Sequence, residues 1–311
     1  MSGISAANYV VALHDIMGQS SLLKKWDRIE DLHAEDEEAV DAFKRTTTVV
    51  RDVRNDFRNI VTAFAKTGMD YSELDLPEEV IDELKEINRF EIRQQSFSDT
   101  TIWFSEAHTQ SGFVCAKRVL YLLYGMAGVH LTQLVRKIPC RGGISFGAGT
   151  TELYSGTTDQ ISGEIYGPVL ESAYRLESSI ADYFRVVIHD RLVDFFEESF
   201  VDIDTLEKGS LDHIAASGNN WVLDQCQKLI TIDSDGAYIL DFAGEFVSEN
   251  IGEVFRKMGL GPAKVFQHVL GFATDSQELW ASERNFQLAD RYAKLRGYLK
   301  HCEQYWVKQK Q

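Results

Sequence analysis

The feature that most restricts what this chain can fold into is a short apolar run that stops on an acid. Asn8 to Asp15 reads Asn-Tyr-Val-Val-Ala-Leu-His-Asp, and Ile16-Met17-Gly18-Gln19-Ser20-Ser21 follows at once. The β-branched and apolar residues predict a strand buried inside a sheet. The Gly/Ser turn leads into a helix starting near Leu22. An acid closing a buried strand is costly to desolvate unless something pairs with it. The sequence therefore begins with a strand that delivers a carboxylate to a sheet edge.

The rest of the chain supplies the partners of that strand. Glu35-Asp36-Glu37-Glu38 opens a long helix with Val40, Phe43, Val50, Phe57, Val61 and Phe64 at 3–4 spacing, the acids suiting the helix N-terminus. Pro77 marks a loop before another short helix. Phe90 to Gln95 and Thr101 to Glu106 predict a β-hairpin with Asp99 at its turn. Gly112 to Lys137 reads as a helix with Val119, Leu122, Met126, Val129, Leu134 and Val135 inside. Arg141 to Gly147 is a glycine-marked strand, Glu164 to Gly167 precedes a helix through Ser178, and Phe184 to Ile188 is a further strand. Leu229 to Ile232 and Ala237 to Leu240 flank the turn Asp233-Ser-Asp-Gly236.

From about Gly244 the chain is helical. Leu288, Tyr292, Leu295, Leu299, Cys302 and Trp306 form a stripe, which docks on the domain or pairs with a partner, docking being the commoner use. The order strand, helix, strand, strand, helix, strand predicts an α+β fold, a ferredoxin-like antiparallel sheet. Its core domain spans 1–244, with a helical insertion over about 22–88, and a C-terminal helical extension covers 245–311.

In that topology the first strand runs beside the hairpin, which brings Asp15 and Asp99 to one sheet edge. Two carboxylates there, with the carbonyl of Ile16, are a donor set for two hard divalent cations, Mg²⁺ or Mn²⁺. Backbone N–H groups of Met17, Gly18, Gln19 and Ser20 at the helix start are suited to cradling phosphates. Taken alone, an Asp at a turn such as Asp99 more often just bonds nearby backbone.

Composition narrows the partners. The 311 residues carry 48 Asp and Glu against 32 Lys and Arg, a net charge of −16. Nucleic acid and anionic membrane surfaces call for a basic footprint that this balance lacks. No apolar run is long enough to span a bilayer, and the N-terminus has no export signal. Four scattered cysteines fit reduced thiols and a cytoplasmic setting. The eight His show no metal-binding spacing. His14 points to the strand face opposite Asp15, and Cys115 reads as buried in an apolar helix. No Walker-type phosphate loop is present.

Four blocks then resemble, in order, the class III nucleotidyl cyclases. YVVALHDIMGQS is similar to their first-metal strand, SFSDTTIWF to their second-metal hairpin, RGGISFGAG to their Arg-x-Gly-Ile-x-x-Gly strand and GEIYGPVLESAYRLES to the helix that follows. The resemblance implies that Asp15, the Ile16 carbonyl and Asp99 bind two divalent ions. It implies that Arg175 steadies the α-phosphate, where the ordinary use would be an ion pair with Glu171 one turn earlier. It further implies a homodimer whose two sites are each shared between head-to-tail subunits.

The departures from the family pattern matter. Gln95 matches the position of the purine-reading Lys or Glu, Glu164 its Asp or Cys partner, and Glu171 the ribose-orienting Asn. The family's lysine hairpin at the terminal phosphates is not recognisable, although Lys208 and Lys228 lie in that area. These departures, the long insertion and the Arg-Gly-Gly-Ile wording resemble one branch, the pyrimidine cyclases of the bacterial Pycsar anti-phage system. That resemblance implies conversion of UTP to cyclic UMP and pyrophosphate, read by a separate effector protein. Cyclic CMP from CTP is the runner-up, with a purine cyclase or a catalytically silent homologue as further alternatives. On the insertion helix, Lys44, Arg51, Arg54 and Arg58 share a face that either reaches a triphosphate or pairs with surface acids.

Overall fold

The computed structural model describes residues 6–17, 37–65, 77–89, 91–109, 112–153, 163–257, 259 and 261–307. The apolar run forms β1 (Ala6–Ile16), as expected. After α1 (Glu37–Ala65) and α2 (Glu78–Ile87) come the hairpin strands β2 (Arg93–Phe97) and β3 (Thr100–Glu106). Helix α3 (Ala116–Val135) leads to β4 (Cys140–Leu153), β5 (Gly163–Tyr166) and α4 (Pro168–Arg175), which runs on into a π-helical turn, Leu176–Ile180. Then follow β6 (Val186–Ile188), α5 (Asp190–Ser199), α6 (Leu211–Gln227), β7 (Ile230–Ile232) and β8 (Tyr238–Leu240). The tail is α7 (Glu245–Lys257), α8 (Pro262–Ser282) and α9 (Phe286–Val307).

The sheet order is β2-β3-β1-β4-β6-β8-β7, with β5 paired to β4. Its first four strands are antiparallel and in the ferredoxin-like order. β6 then joins parallel to β4, which extends the sheet beyond that unit. Because β1 is central, both of its faces are buried. Tyr9, Val11 and Leu13 pack with Ile102, Phe104, Val169 and Ala173 beneath α4. Val10, Ala12 and Ile16 enter the large core around α3 on the other face.

Helix α3 is apolar on every side because it has neighbours on every side. The sheet lies on one flank and α1, α6 and α8 on the others. Phe57 of α1 stacks on Trp103 at 4.2 Å between ring centroids. Arg136 and Gln133 at the end of α3 both bond Asp56 of α1, the latter at 3.1 Å. Val40 and Phe43, expected inside, are exposed, since the first turns of α1 extend past the part that packs on α3. The helix expected near Leu22 lies outside the described residues. Cys115 is buried as expected, but as the residue capping α3.

The tail stripe docks on the domain. Tyr292, Leu295, Leu299, Cys302 and Trp306 belong to the same buried cluster as α3. Trp306 Nε1 donates to the Ala243 carbonyl at 2.7 Å and the Tyr298 hydroxyl donates to Asp241 at 2.7 Å. No helix among the described residues is long and apolar enough to cross a membrane.

The two glycines of the Arg-Gly-Gly-Ile strand are explained by close approach. A Cβ on Gly143 would lie 2.2 Å from the Ala173 carbonyl oxygen of α4, and one on Gly142 would lie 2.5 Å from the Leu13 carbonyl oxygen. Backbone cannot yield as a flexible side-chain end can. Gly143→Ala is expected to lower stability by about 2–3 kcal/mol, read by urea denaturation. A cost within about 0.5 kcal/mol of zero, the range of neutral surface changes, would mean that α4 is free to slide.

Candidate active site

β1 and β3 pair in the register Asp15↔Thr100, which puts Asp15 beside the β2–β3 turn. That turn is Ser98-Asp99, with Ser98 at φ 49°. The Ile16 N–H faces the Asp99 carbonyl at 3.4 Å, so the strand end and the turn are joined through backbone. Strand alternation sends Asp15 to the α4 side of the sheet, with Leu13 and Val11, and His14 to the α3 side. The structure thus brings together the two aspartates that the topology pairs.

Asp15 is half-buried. Its carboxyl is raised above the ordinary range, first by burial and then by the charge of Asp99. The Thr100 hydroxyl, donating to Oδ1 at 2.8 Å, and Arg141 act in the opposite direction. Two further residues, to which the sequence reading gave no role, complete this corner. Arg141, paired in register with Asp15, has Nε 3.8 Å from Asp15 and 2.5 Å from Glu177. Glu177 is buried within the π-helical turn, and its carboxyl is pushed up to about 7, by burial first, with Arg141 opposing and Asp15 adding to the shift. The signal available was the Arg-Leu-Glu-Ser wording after α4, but its place facing Asp15 depends on the switch from α to π winding, a feature common at functional sites.

This donor set fits hard divalent cations. Asp15 and Asp99 offer carboxylate oxygens close enough to repel, and Ile16 closes the strand beside them. Arg141 sits nearer Glu177 than Asp15, at 2.5 Å against 3.8 Å.

The other expected residues take these positions. Met17 uses its N–H on the Pro139 carbonyl at 2.9 Å. Gly18 and Gln19, with the expected phosphate cradle, lie outside the described residues. Gln95 of β2 accepts the Ile165 N–H on its carboxamide oxygen at 3.1 Å, which draws it beside Glu164 of β5. The Tyr166 hydroxyl donates to Glu164. Glu171 and Arg175, on α4, are exposed, and no ion pair joins them among the described residues. Lys228, at the end of α6, pairs with Asp224 at 2.7 Å, and α6 packs against α3 on the sheet face opposite Asp15. Helix α1, bearing Lys44, Arg51, Arg54 and Arg58, is on that opposite face too, so within one chain its basic face is separated from Asp15 by the sheet. A cleft of about 920 Å³ on the same side, lined by Phe64, Tyr124, Trp221, Lys228 and Tyr305, contains neither aspartate.

Sequence spacing gave the histidines no metal role. His14, His130 and Cys140 converge under the sheet, with one ligand atom from each within 4.8 Å of the others.

No family model matches the chain, and no curated protein matches it. Among solved structures it is similar to the non-canonical dimeric guanylyl cyclase domain of the RhoGC fusion protein from the aquatic fungus Blastocladiella emersonii, at 12% identity over 65% of this chain and 89% of that one, TM-score 0.36. It is also similar to a bacterial light-regulated adenylyl cyclase, at 12% identity over 81% of this chain and 98% of that one, TM-score 0.39. A third is the catalytic core of a rhodopsin-guanylyl cyclase with converted specificity, at 12% identity over 65% and 88% of the two chains, TM-score 0.32.

Proposed function

We propose that this chain is a metal-dependent nucleotidyl cyclase that converts UTP to 3′,5′-cyclic UMP and pyrophosphate. The observation that carries the reading is the meeting of Asp15 and Asp99 at the end of a buried strand. In this reaction the ribose 3′-oxygen bonds the α-phosphorus while the bond from that phosphorus to the β-phosphate oxygen breaks. Two bound Mg²⁺ or Mn²⁺ ions supply activation of the 3′-hydroxyl and neutralisation of the triphosphate. Asp15, Asp99 and the Ile16 carbonyl hold them. The sequence motif assigns phosphate binding to Gly18 and Gln19, the Met17 N–H being already engaged.

Arg175 offsets charge growing on the transferring phosphoryl group, and it is exposed with no ion pair among the described residues. Glu171, one turn earlier, accepts from a ribose hydroxyl. Both stand on the open side of α4, where a second copy of the chain completes the site in a homodimer. The resemblance of the sequence motifs extends the reading to a second messenger of anti-phage defence, sensed by a separate effector protein.

The base assignment has a geometric argument. The Gln95 carboxamide oxygen is turned to the Ile165 N–H, so the NH₂ is the group better placed to face a base. Uracil presents an acceptor at O4, which that NH₂ can meet, and an N3–H that Glu164 can accept. Cytosine presents an amino donor at the same place, which would face the Gln95 donor. UTP is therefore favoured over CTP.

Supplying the four nucleoside triphosphates separately with Mn²⁺ and identifying products by mass spectrometry tests this reading. Cyclic UMP is the expected main product. A purine product would overturn the base assignment, and no pyrophosphate from any substrate would overturn the enzyme. Gln95→Ala is expected to lower kcat/KM for UTP by about ten-fold or more, the consequence of an unpaired polar group in the base pocket. An unaltered preference among the four nucleotides would remove Gln95 from base reading.

A further inference from the structure

We propose that His14, His130 and Cys140 bind one closed-shell thiophilic cation, Cu⁺ or Zn²⁺, on the sheet face opposite Asp15. The three residues come from β1, α3 and β4, are all fully buried, and bring one ligand atom each to within 4.8 Å of the others. Their donor chemistry, two imidazoles and a thiol, is the set that soft and borderline metals select.

Three observations beyond proximity point to a bound ion. Both ring nitrogens of His14 are buried without a hydrogen-bond partner among the described residues. The Thr101 hydroxyl, directly across from His14 in the β1–β3 register, is likewise unpartnered. A native core rarely keeps such groups unless an ion, a water or a reaction uses them. His130 is arranged as a ligand. Its Nε2 lies 3.3 Å from the Phe184 carbonyl, which can only accept, so the proton sits there and the Nδ1 lone pair faces Cys140 Sγ at 3.4 Å. Metal-binding histidines are oriented by this kind of outer contact to a carbonyl.

Coordination replaces the Cys140 S–H bond with a sulfur–metal bond and releases the proton. A thiolate with two neutral imidazoles carries one negative charge, so Cu⁺ gives a neutral site and suits this dry interior. Zn²⁺ would leave one positive charge and a fourth position to fill. Met126, one turn before His130, adds a soft thioether nearby. Its terminal methyl lies 2.7 Å from where a Cβ of Gly142 would be, and Gly142 is the residue paired with His14. Such an ion would staple β1, β4 and α3 together directly under the end of β1.

The test uses the full-length chain, produced in cells supplemented with copper or with zinc, purified anaerobically and dialysed against a chelator before elemental analysis. Wild type and the double variant Asp15→Asn/Asp99→Asn are expected to retain one ion per chain and to melt at higher temperature than the same protein refolded from denaturant without metal. Cys140→Ser is expected to retain less than a tenth of that metal and to melt alike with and without it. Retention from copper medium alone identifies Cu⁺, and from zinc medium alone Zn²⁺. Wild type that leaves both media without metal, or metal retained equally by Cys140→Ser, overturns the site. Should Cys140→Ser fail to fold, His14→Asn takes its place, and the wild-type stoichiometry decides regardless. The outcome is independent of the Asp15–Asp99 reading, because the double variant removes that pair.

Discussion

Replacing Asp15 with Asn is expected to lower the proposed turnover of UTP by about a thousand-fold or more, and Asp99→Asn by as much, because each removes a carboxylate from the proposed metal pair, whose charge stabilisation would be worth several kcal/mol. Asn keeps the size of Asp15 and an oxygen that can still accept from the Thr100 hydroxyl, so the local packing survives. The same exchange is expected to leave the melting temperature, measured without divalent ions, at or above that of wild type. Burial and the charge of Asp99 both disfavour the Asp15 carboxylate in the folded chain, and Asn removes that penalty. A pair kept at a cost to stability is a mark of function. Steady-state pyrophosphate release and thermal melting on the same preparations check both halves. An Asp15→Asn or Asp99→Asn enzyme that keeps a tenth of the wild-type rate excludes the metal assignment for that residue. A variant that loses both activity and fold would instead make the aspartates structural.

The meeting of Asp15 with Asp99 was legible because two strong local signals fixed it. An unbroken apolar run allows β1 only a central place, and a hairpin with Asp99 at its turn leaves little freedom of register. Once the order β2-β3-β1-β4 is set, the two acids have to meet. What stayed hidden depends on more than one element at a time. The spacing of His14, His130 and Cys140 along the chain says nothing, since a strand, a helix and a second strand converge only after the sheet closes over α3. Glu177 read as the end of an amphipathic helix, and the π-helical turn that buries it leaves no periodic trace. Val40 and Phe43 kept the helical spacing although both stand exposed, because periodicity records a face and not the length of its contact. Asp233 and Asp235 read as turn residues, which they are, but the turn also serves a buried cation.

That cation is Arg185, and Arg185→Ala is expected to destabilise the fold by about 3–5 kcal/mol, the cost of breaking a buried pair on one side only. Arg185 is 1% exposed just before β6. Its Nη1 and Nη2 donate to the two oxygens of Asp235 at 3.0 and 2.6 Å, Nη1 also bonds Asp233, and Nη2 donates to the Ile180 carbonyl at 2.9 Å. The Tyr183 hydroxyl donates to Asp233 at 2.5 Å, and the guanidinium lies over the Tyr183 ring. One planar fork thus ties the β7–β8 turn to the π-helical turn that carries Glu177. Lysine has the charge but not the fork, so Arg185→Lys is expected to recover only part of the loss. The network has a pH signature. Burial raises Asp233, but the Tyr183 hydroxyl, the Ser234 N–H and Arg185 outweigh it and hold the carboxyl below its ordinary value; Asp235 is lowered chiefly by its bonds to Arg185. Carboxylates whose folded-state values are depressed contribute stability above their unfolded value of 3.8, and that contribution is lost as pH falls through the folded one. Asp235 is half-exposed, so Asp233 carries the larger share. Urea denaturation of wild type and Arg185→Ala should therefore give a gap that is full at neutral pH and narrows once the pH drops below that unfolded value. If the gap keeps its full size at the acid end, shape and not charge is what Arg185 contributes. A neutral-pH gap of about 1 kcal/mol or less, the range of exposed pairs, would mean that the turn holds its place without it.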